Sequence, residues 1–224
     1  MQQVGCSGKL PAYGDFVQGG GSLQACKNWS AWAENGLAVA REASGFHDTF
    51  LTSPIWRFSV AAKVFSSTPV AGVFCPSMDK VGRLFPFAVM TELPAGVSPI
   101  SAFTALGPWF ESLEASVLSA LDPSATTDDL NHSITDPDPL KANCGPPQLA
   151  SVASYANLAV TAEGEPMPAE ADPLDLSDDG PAADDGVWIT LGGIDAGAEG
   201  VAQRGVATNQ LFSRLVMGGR LDEH

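Results

Sequence analysis

A polar connection separates two apolar runs in the stretch Val70-Ala71-Gly72-Val73-Phe74-Cys75-Pro76-Ser77-Met78-Asp79-Lys80-Val81-Gly82-Arg83-Leu84-Phe85-Pro86-Phe87-Ala88-Val89-Met90. The runs Val70–Phe74 and Phe85–Leu93 have the length and composition of buried strands. Loops that are held by rigid strands are frequent places for function. The stretch therefore predicts the centre of a sheet and, between its two strands, a candidate site.

The flanking sequence adds further strands and helices to this centre. Trp56–Val64 and Gly186–Leu191 have the composition of apolar strands, and a turn rich in Ser connects the first of them to the central stretch. Apolar residues recur at steps of three and four in Ser22–Ala43 and Ser101–Leu121, which predicts two amphipathic helices, the first capped by its Ser. Thr208–Met217 is predicted to be a closing helix with its Thr as the N-cap.

The remaining segments give weaker patterns. Gly8–Gly21 is interrupted by Pro and Gly, which predicts a structured loop, while residues 146–155 are predicted as a short helix and 157–162 as a strand. Strands in runs, with too few helices for a repeated βαβ pattern, predict a mixed sheet with helices on both faces.

The composition is that of an ordinary globular protein. The 224 residues are 45% hydrophobic and 17% charged, which favours one domain spanning residues 1–224. No apolar run approaches the roughly 18 residues of a membrane span, and the N-terminus lacks a basic region followed by an apolar stretch. We therefore expect a cytoplasmic chain that does not insert directly into a membrane.

Neither the cysteines nor the glycines form a cofactor motif. The four cysteines, Cys6, Cys26, Cys75 and Cys144, are scattered, with no C-x-x-C pair and no histidine at ligand spacing. We expect all four to be reduced thiols, with Cys26 and Cys75 packed in the core. Gly8-Lys9 is followed by Leu10, so the pattern of a phosphate-binding loop is absent. We expect no bound metal and no cofactor.

The formal net charge of −15 is concentrated in the second half of the chain. Residues 1–121 carry 7 Lys or Arg against 8 Asp or Glu, whereas residues 122–224 carry 4 against 18, nine of these acids lying between Glu163 and Asp185. Self-repulsion and low hydrophobicity oppose collapse, so 163–186 is predicted to be an acidic solvated loop within the domain. Nucleic-acid binding is not expected, because it needs clustered Lys and Arg.

Six polar residues in three segments make up the candidate site: Lys9, Asp15, Arg57, Ser77, Asp79 and Arg83. If the charged residues among them converge, they form a network that holds the loops together or recognises a partner. Ser77, Asp79 and Arg83 also supply a hydroxyl, a carboxylate and a guanidinium, which are parts of many hydrolytic sites. No histidine occurs in a setting that marks it as the base. We therefore predict no catalytic residue, and a hydrolase or phosphotransfer-pathway enzyme using this loop stays as the alternative.

Three segments, in this order and at this spacing, resemble the TagF family, also called ImpM, of accessory proteins of bacterial type VI secretion systems. They are Gly8-Lys9-Leu10-Pro11-Ala12-Tyr13-Gly14-Asp15-Phe16, Ser53-Pro54-Ile55-Trp56-Arg57-Phe58 and Pro76–Pro86. The resemblance covers residues 4–121 strongly, and the rest only through Val187-Trp188 and the final helix. One departure is Gly205-Val206-Ala207, where members of the family often carry Gly-Leu-Pro.

The resemblance implies both a fold and a function. The implied fold is an α/β protein, leaning towards α+β, in which a mixed, largely antiparallel sheet is the middle layer of a three-layer αβα sandwich. The implied function is that of a non-enzymatic repressor, which acts after translation on type VI secretion by binding a scaffold protein with a forkhead-associated domain. The residues themselves predict neither an oligomeric state nor which surface meets the partner.

Overall fold

The computed structural model describes residues 4–21, 23–134, 136–137, 186–192, 199–203 and 207–217. Its strands are β1 (Gly5–Gly8), β2 (Val17–Gly20), β3 (Trp56–Val60), β4 (Val70–Cys75), β5 (Phe87–Glu92), β6 (Gly186–Thr190) and β7 (Glu199–Gln203). Its helices are α1 (Leu23–Ala40), α2 (Phe46–Thr52), α3 (Pro99–Ala105), α4 (Gly107–Ala120), α5 (Thr127–Ser133) and α6 (Asn209–Met217).

The strands form one seven-stranded sheet in the order β2-β1-β5-β4-β3-β6-β7, and every neighbouring pair runs antiparallel. Strand β4 lies in the middle, where Val73 is opposite Arg57 of β3 on one side and Val89 of β5 on the other. All six residues of β4 are buried, as expected for a strand that is covered on both faces. The predicted α/β class, with β3, β4 and β5 at the centre of a largely antiparallel sheet, is confirmed.

Helices cover both faces of this sheet, because successive side chains of a strand point to opposite sides. Phe74 of β4 packs with Trp29 of α1 and Phe212 of α6 in one core cluster. Its neighbour Val73 belongs to a second cluster, which includes Phe110 of α4 and residues of α3 and α5. The protein therefore has the three layers that were predicted.

The closing helix α6 lies directly against α1. Gly36 permits this approach, since a Cβ atom at that position would overlap the side chain of Phe212. The indole N–H of Trp32 donates to the Thr208 carbonyl oxygen at 2.9 Å. Thr208 Oγ1 accepts a hydrogen bond from the Leu211 backbone N–H at 3.1 Å, which confirms Thr208 as the N-cap.

The prediction of a loop over Gly8–Gly21 holds for residues 9–16 but is wrong at the two ends of that segment. Gly8 ends β1, and Val17–Gly20 forms β2, so the two strands make an antiparallel hairpin. Backbone pairing of β1 with β5, far along the chain, supports a strand whose own sequence, Gly5-Cys6-Ser7-Gly8, has a weak strand pattern. The helix predicted as continuous over Ser101–Leu121 is interrupted at Leu106, and Pro108 lies in the first turn of α4, where its missing N–H costs little.

Two predicted strands are shorter than expected. The strand predicted over Trp56–Val64 ends at Val60, since the chain turns immediately afterwards and Lys63 has a φ of 75°. The strand predicted over Phe85–Leu93 begins only after Pro86, which has no N–H to donate to a neighbouring strand. Helices α2 and α5 and strand β7 were not predicted at all.

The cysteines Cys6, Cys26 and Cys75 are free and buried, so the prediction of reduced thiols in the core is confirmed for Cys26 and Cys75. In the ranges that the structure describes, no helix is both long and apolar enough to cross a bilayer. Several predictions lie outside the described residues: the Ser22 cap, the helix over 146–155, the strand over 157–162, Cys144, Gly205-Val206 and the acidic loop up to residue 185. Gly186, predicted as the end of that loop, is the first residue of β6.

Candidate functional site

The carboxylate of Asp79 is the centre of a network of hydrogen bonds and ion pairs. Its Oδ2 atom lies 3.0 Å from Lys9 Nζ and accepts a hydrogen bond from Arg83 Nε at 2.7 Å. Its Oδ1 atom accepts from the backbone N–H groups of Val81 at 3.1 Å and of Arg83 at 2.9 Å. Asp79 is only 1% exposed, so four donors surround a carboxylate that has almost no contact with solvent.

The sequence after β4 folds into a tight turn that places this carboxylate. The backbone N–H of Asp79 donates to the Arg83 carbonyl oxygen at 3.1 Å, and the N–H of Gly82 donates back to the Asp79 carbonyl at 2.9 Å. Gly82 has a φ of 86°, a conformation that other residues adopt only with strain. An Asp that binds backbone N–H groups two and four positions later is a typical turn residue.

The same turn is fastened to the loop that follows β1. Ser77 Oγ donates to the Lys9 carbonyl oxygen at 2.7 Å, the Lys80 backbone N–H donates to the Tyr13 carbonyl at 2.8 Å, and Arg83 Nη2 donates to the Gly14 carbonyl at 2.6 Å. The Tyr13 hydroxyl in turn accepts from the Thr127 backbone N–H at 2.7 Å, which connects the first turn of α5. We call Lys9, Ser77, Asp79 and Arg83, with the two loops they join, the Asp79 network.

The ionisation of Asp79 reflects a competition between burial and hydrogen bonding. Burial by itself raises the pKa of a carboxyl group, because it disfavours the charged form. The bonds from the Arg83 backbone, the Lys9 ammonium, the Arg83 guanidinium and the Val81 backbone together outweigh it and hold the pKa of Asp79 well below its ordinary value. The carboxylate is therefore ionised at neutral pH.

Arg57 does not join this network. Arg57 lies on β3, is 2% exposed and makes a bidentate pair with Glu114 of α4, with Nε to Oε1 at 2.7 Å and Nη2 to Oε2 at 2.6 Å. Because side chains alternate along a strand, Arg57 lies on the face of the sheet opposite Trp56. The sequence did not identify Glu114 as the partner of Arg57, because no local signal distinguishes it from Glu111, the other acid of the same helix.

The structure thus brings together four of the six predicted site residues, namely Lys9, Ser77, Asp79 and Arg83. Asp15 is exposed in the loop after β1, next to Gly14. The surface of the network consists mainly of the Arg83 side chain, which is 60% exposed, and of Val81, which is 71% exposed. Sequence reasoning did not single out Val81 or Phe16, which is 44% exposed in the neighbouring loop.

The chemistry available at the network is limited. Ser77 is 3% exposed and donates its hydroxyl proton to a backbone carbonyl. His47 and His132 lie on α2 and α5, where they contact Asp48 and the Asp128 carbonyl respectively. Among the residues that the structure describes, no group of three or more His, Cys, Asp and Glu side chains is placed to hold a metal ion.

The fold and the network define a class of α/β protein in which one antiparallel sheet lies between two helical layers and ion pairs fasten the loops at one end. The sequence model of the TagF N-terminal domain, type VI secretion system-associated, matches residues 5–136, which is more than half of the chain. The protein belongs to the TagF family of type VI secretion system-associated proteins. The match contains every residue of the Asp79 network.

A solved structure has a similar fold over nearly the whole chain. The crystal structure of PA0076 from Pseudomonas aeruginosa PAO1 superposes with a TM-score of 0.68 at 25% sequence identity, covering 96% of this chain and 94% of that one. No curated protein sequence matches the chain. The similarity to PA0076 extends beyond residue 136, where the family match ends.

Proposed function

We propose that this protein is a non-enzymatic, cytoplasmic regulator that represses type VI protein secretion after translation by binding a scaffold component with a forkhead-associated domain. Membership of the TagF family supports a role in type VI secretion. The observation that carries the regulatory role is that the Asp79 network is saturated with structural bonds and yet presents Arg83 and Val81 to solvent. Such an arrangement suits recognition of another protein.

The state of the two potential reactive groups supports a non-enzymatic role. A serine nucleophile needs a neighbouring base and access to substrate, whereas Ser77 is buried and bonded to the Lys9 carbonyl. A general acid or base works best with a pKa near the working pH, whereas the pKa of Asp79 is held below its ordinary value. Both side chains hold the two loops in place.

The exposed residues of the network have the chemistry of interface anchors. Arginine and aromatic residues dominate the binding energy of many protein interfaces. Arg83 and Phe16 project from adjoining loops, and Val81 adds an exposed apolar side chain at the tip of the turn. Because hydrogen bonds fix both loops, their backbones lose little freedom when a partner binds.

The proposal is tested by measuring secretion in the bacterium that encodes the chain. Deleting its gene is expected to increase the amount of type VI substrate in the medium, and overproducing it to decrease that amount, while the transcripts of the secretion genes stay constant. A change in transcript level would contradict regulation after translation. Unchanged secretion in both strains would contradict the repressor role.

The enzyme alternative predicts a different result. If Ser77 or Asp79 takes part in turnover, Ser77→Ala and Asp79→Asn abolish an activity that the wild type shows against ester, amide or phosphate substrates, without unfolding the protein. On the regulatory proposal, the wild type shows no such activity. Turnover that depends on Ser77 in a folded protein would replace the proposal.

A further inference from the structure

A groove of about 510 Å³ lies between α1 and the loops that the Asp79 network joins. Its lining includes Phe16, Leu84 and Phe85 from the loops, and Lys27, Glu34 and Arg41 from α1 and the residue that follows it. Lys9, a member of the network, also lines the groove. The groove is therefore built on the same loops that carry Arg83 and Val81.

The loop side of the groove is apolar. Phe16 is 44% exposed, and its ring packs against Phe85 in an edge-to-face arrangement with centroids 5.1 Å apart. Leu84 and Phe85 also line the groove and are nearly buried. An aromatic ring that rests on a buried aromatic yet stays open to solvent offers a rigid contact for an apolar side chain.

The helix side of the groove is cationic. Lys27, Glu34 and Arg41 follow one another at intervals of seven residues, which places them along one face of the helix. All three are exposed, and Lys9 also lines the groove, with its ammonium paired to Asp79 at 3.0 Å. The lining thus offers a ligand the charges of Lys27 and Arg41 against the single carboxylate of Glu34, in a chain whose net charge is −15.

The groove is formed in advance of any binding event. The backbone N–H of Phe85 donates to the Ser77 carbonyl at 3.0 Å, and Arg41 Nη2 contacts the Leu84 carbonyl at 3.4 Å. Ser30 of α1 and Ser7 of β1 share a hydrogen bond of 2.7 Å at the base of the helix side. Because both walls are fixed, a ligand does not have to order them.

The length of the cationic face fits a short extended segment. Arg41 follows Lys27 by 14 residues, which corresponds to about 21 Å along a helix at about 1.5 Å per residue. An extended peptide covers that distance with about six residues. Side chains of such a peptide alternate between two sides, so that acidic groups facing α1 and apolar groups facing Phe16 fit one strand-like conformation.

We propose that this groove binds an extended segment of a partner protein, about six residues long, in which acidic side chains meet Lys27 and Arg41 and an apolar side chain rests on Phe16. The proposal rests on the proposed function in taking the occupant to be another protein. It adds the surface and the chemistry of the bound segment. Charge selects the occupant, since the cations of this face attract carboxylates and repel basic segments.

Fluorescence anisotropy of the full chain with labelled octapeptides tests the groove directly. The probe alternates glutamate with leucine, and two control peptides replace either its glutamates with lysine or its leucines with serine. We expect the wild type to bind the probe in preference to both controls. The double variant Lys27→Glu with Arg41→Glu, and separately Phe16→Ala, should each weaken binding by about tenfold or more.

A matched control is Lys63→Glu, which reverses an exposed cation outside the groove lining and should leave the probe affinity unchanged. Thermal unfolding shows whether each variant is folded, and the exposed positions of Phe16, Lys27 and Arg41 make these changes compatible with the fold. No binding by the wild type, or equal binding by the groove variants, would overturn the assignment.

Other occupants give distinguishable outcomes. A dimer that sedimentation velocity detects, and that Phe16→Ala dissociates, would make a second copy the occupant and overturn the proposal. Probe binding is also tested after the nine acids between Glu163 and Asp185 are replaced by serine. Binding that appears only in that variant would make this chain's own acidic stretch the occupant of the groove and would overturn the proposal. If the probe binds but the scaffold protein does not, the proposed function fails while the groove assignment stands.

Discussion

Lys9 and Asp79 form an ion pair of 3.0 Å between the loop after β1 and the connection from β4 to β5. The pair is reinforced from both sides, since Ser77 donates to the Lys9 carbonyl and Arg83 donates to the Asp79 carboxylate. Strands β1 and β5 are neighbours in the sheet, so the pair fastens two loops that leave the same region. The short polar stretch between β4 and β5 therefore holds the loop after β1 in place.

Asp79→Asn should lower the thermal unfolding temperature at neutral pH more than the control Lys80→Gln, which changes an exposed side chain in the same turn. The variant keeps the shape of the side chain but leaves Lys9 and Arg83 without their carboxylate. Calorimetry of both variants beside the wild type measures the difference. An equal effect of the two substitutions would contradict a structural role for the carboxylate.

The stabilisation by Asp79 should also depend on pH, with a sign that follows from its pKa. The folded state holds this pKa below the ordinary value of 3.8, so the folded state favours the ionised form. The stabilisation is then complete above that ordinary value and is lost as the pH falls below it. The difference in unfolding temperature between the wild type and Asp79→Asn should shrink below about pH 4, and a constant difference would contradict the assignment.

Glu114→Ala should destabilise the protein by about 3 kcal/mol, the lower end of the range for breaking a buried ion pair. The change leaves the Arg57 guanidinium, which is 2% exposed, without its bidentate partner. Urea unfolding measures the loss, and Glu111→Ala on the exposed side of the same helix is the control. Replacing Arg57 and Glu114 together by methionine should recover part of the lost stability, because no charge is then buried without its partner. If the double variant is as unstable as Glu114→Ala, the broken ion pair is not the cause of the loss.

Gly36→Ala should lower the free energy of unfolding by about 1–2 kcal/mol, despite the better helix propensity of alanine. The added methyl group would overlap Phe212 at the root of its side chain, where no rotation relieves the contact. Gly107→Ala in α4 is the control, because its Cβ would meet no atom within 4 Å. If the two substitutions have the same effect, α1 and α6 are not as close as described.

Cys6, Cys26 and Cys75 should resist iodoacetamide in the native protein at neutral pH and react once it is denatured. Burial raises the pKa of Cys6 to about 11 and that of Cys26 and of Cys75 to about 12, so the reactive thiolate is scarce as well as inaccessible. Mass spectrometry of the peptides identifies the labelled positions. Rapid native labelling at Cys26 or Cys75 would contradict the packing of the core.

Local patterns were sufficient for the centre of the fold and insufficient for its edge. Apolar runs predicted β3, β4 and β5, and the closing helix α6 was predicted with Thr208 as its N-cap. The β1–β2 hairpin escaped prediction, because its four-residue strands are rich in glycine and are held by pairing with β5. Its position at one edge of the sheet is a property of the assembled chain and not of the segment.

The same distinction applies to the site. Residue types and spacing predicted that Ser77, Asp79 and Arg83 belong together, since they share one turn. The contribution of Lys9 depends on two loops meeting in space, and the separation of Arg57 from the network depends on Glu114, a residue of α4. Strand alternation gives the face to which Arg57 points but contains no information on which helix lies over it.

Calorimetric titration of the purified chain into the purified scaffold protein with the forkhead-associated domain tests the central claim most directly. We predict a saturable complex that Arg83→Glu weakens, since this side chain is 60% exposed on the network surface, and that Lys63→Glu leaves unchanged. Unfolding curves of both variants establish that they are folded. The absence of any heat of binding with the wild type would contradict the claim that this protein regulates secretion by binding that scaffold.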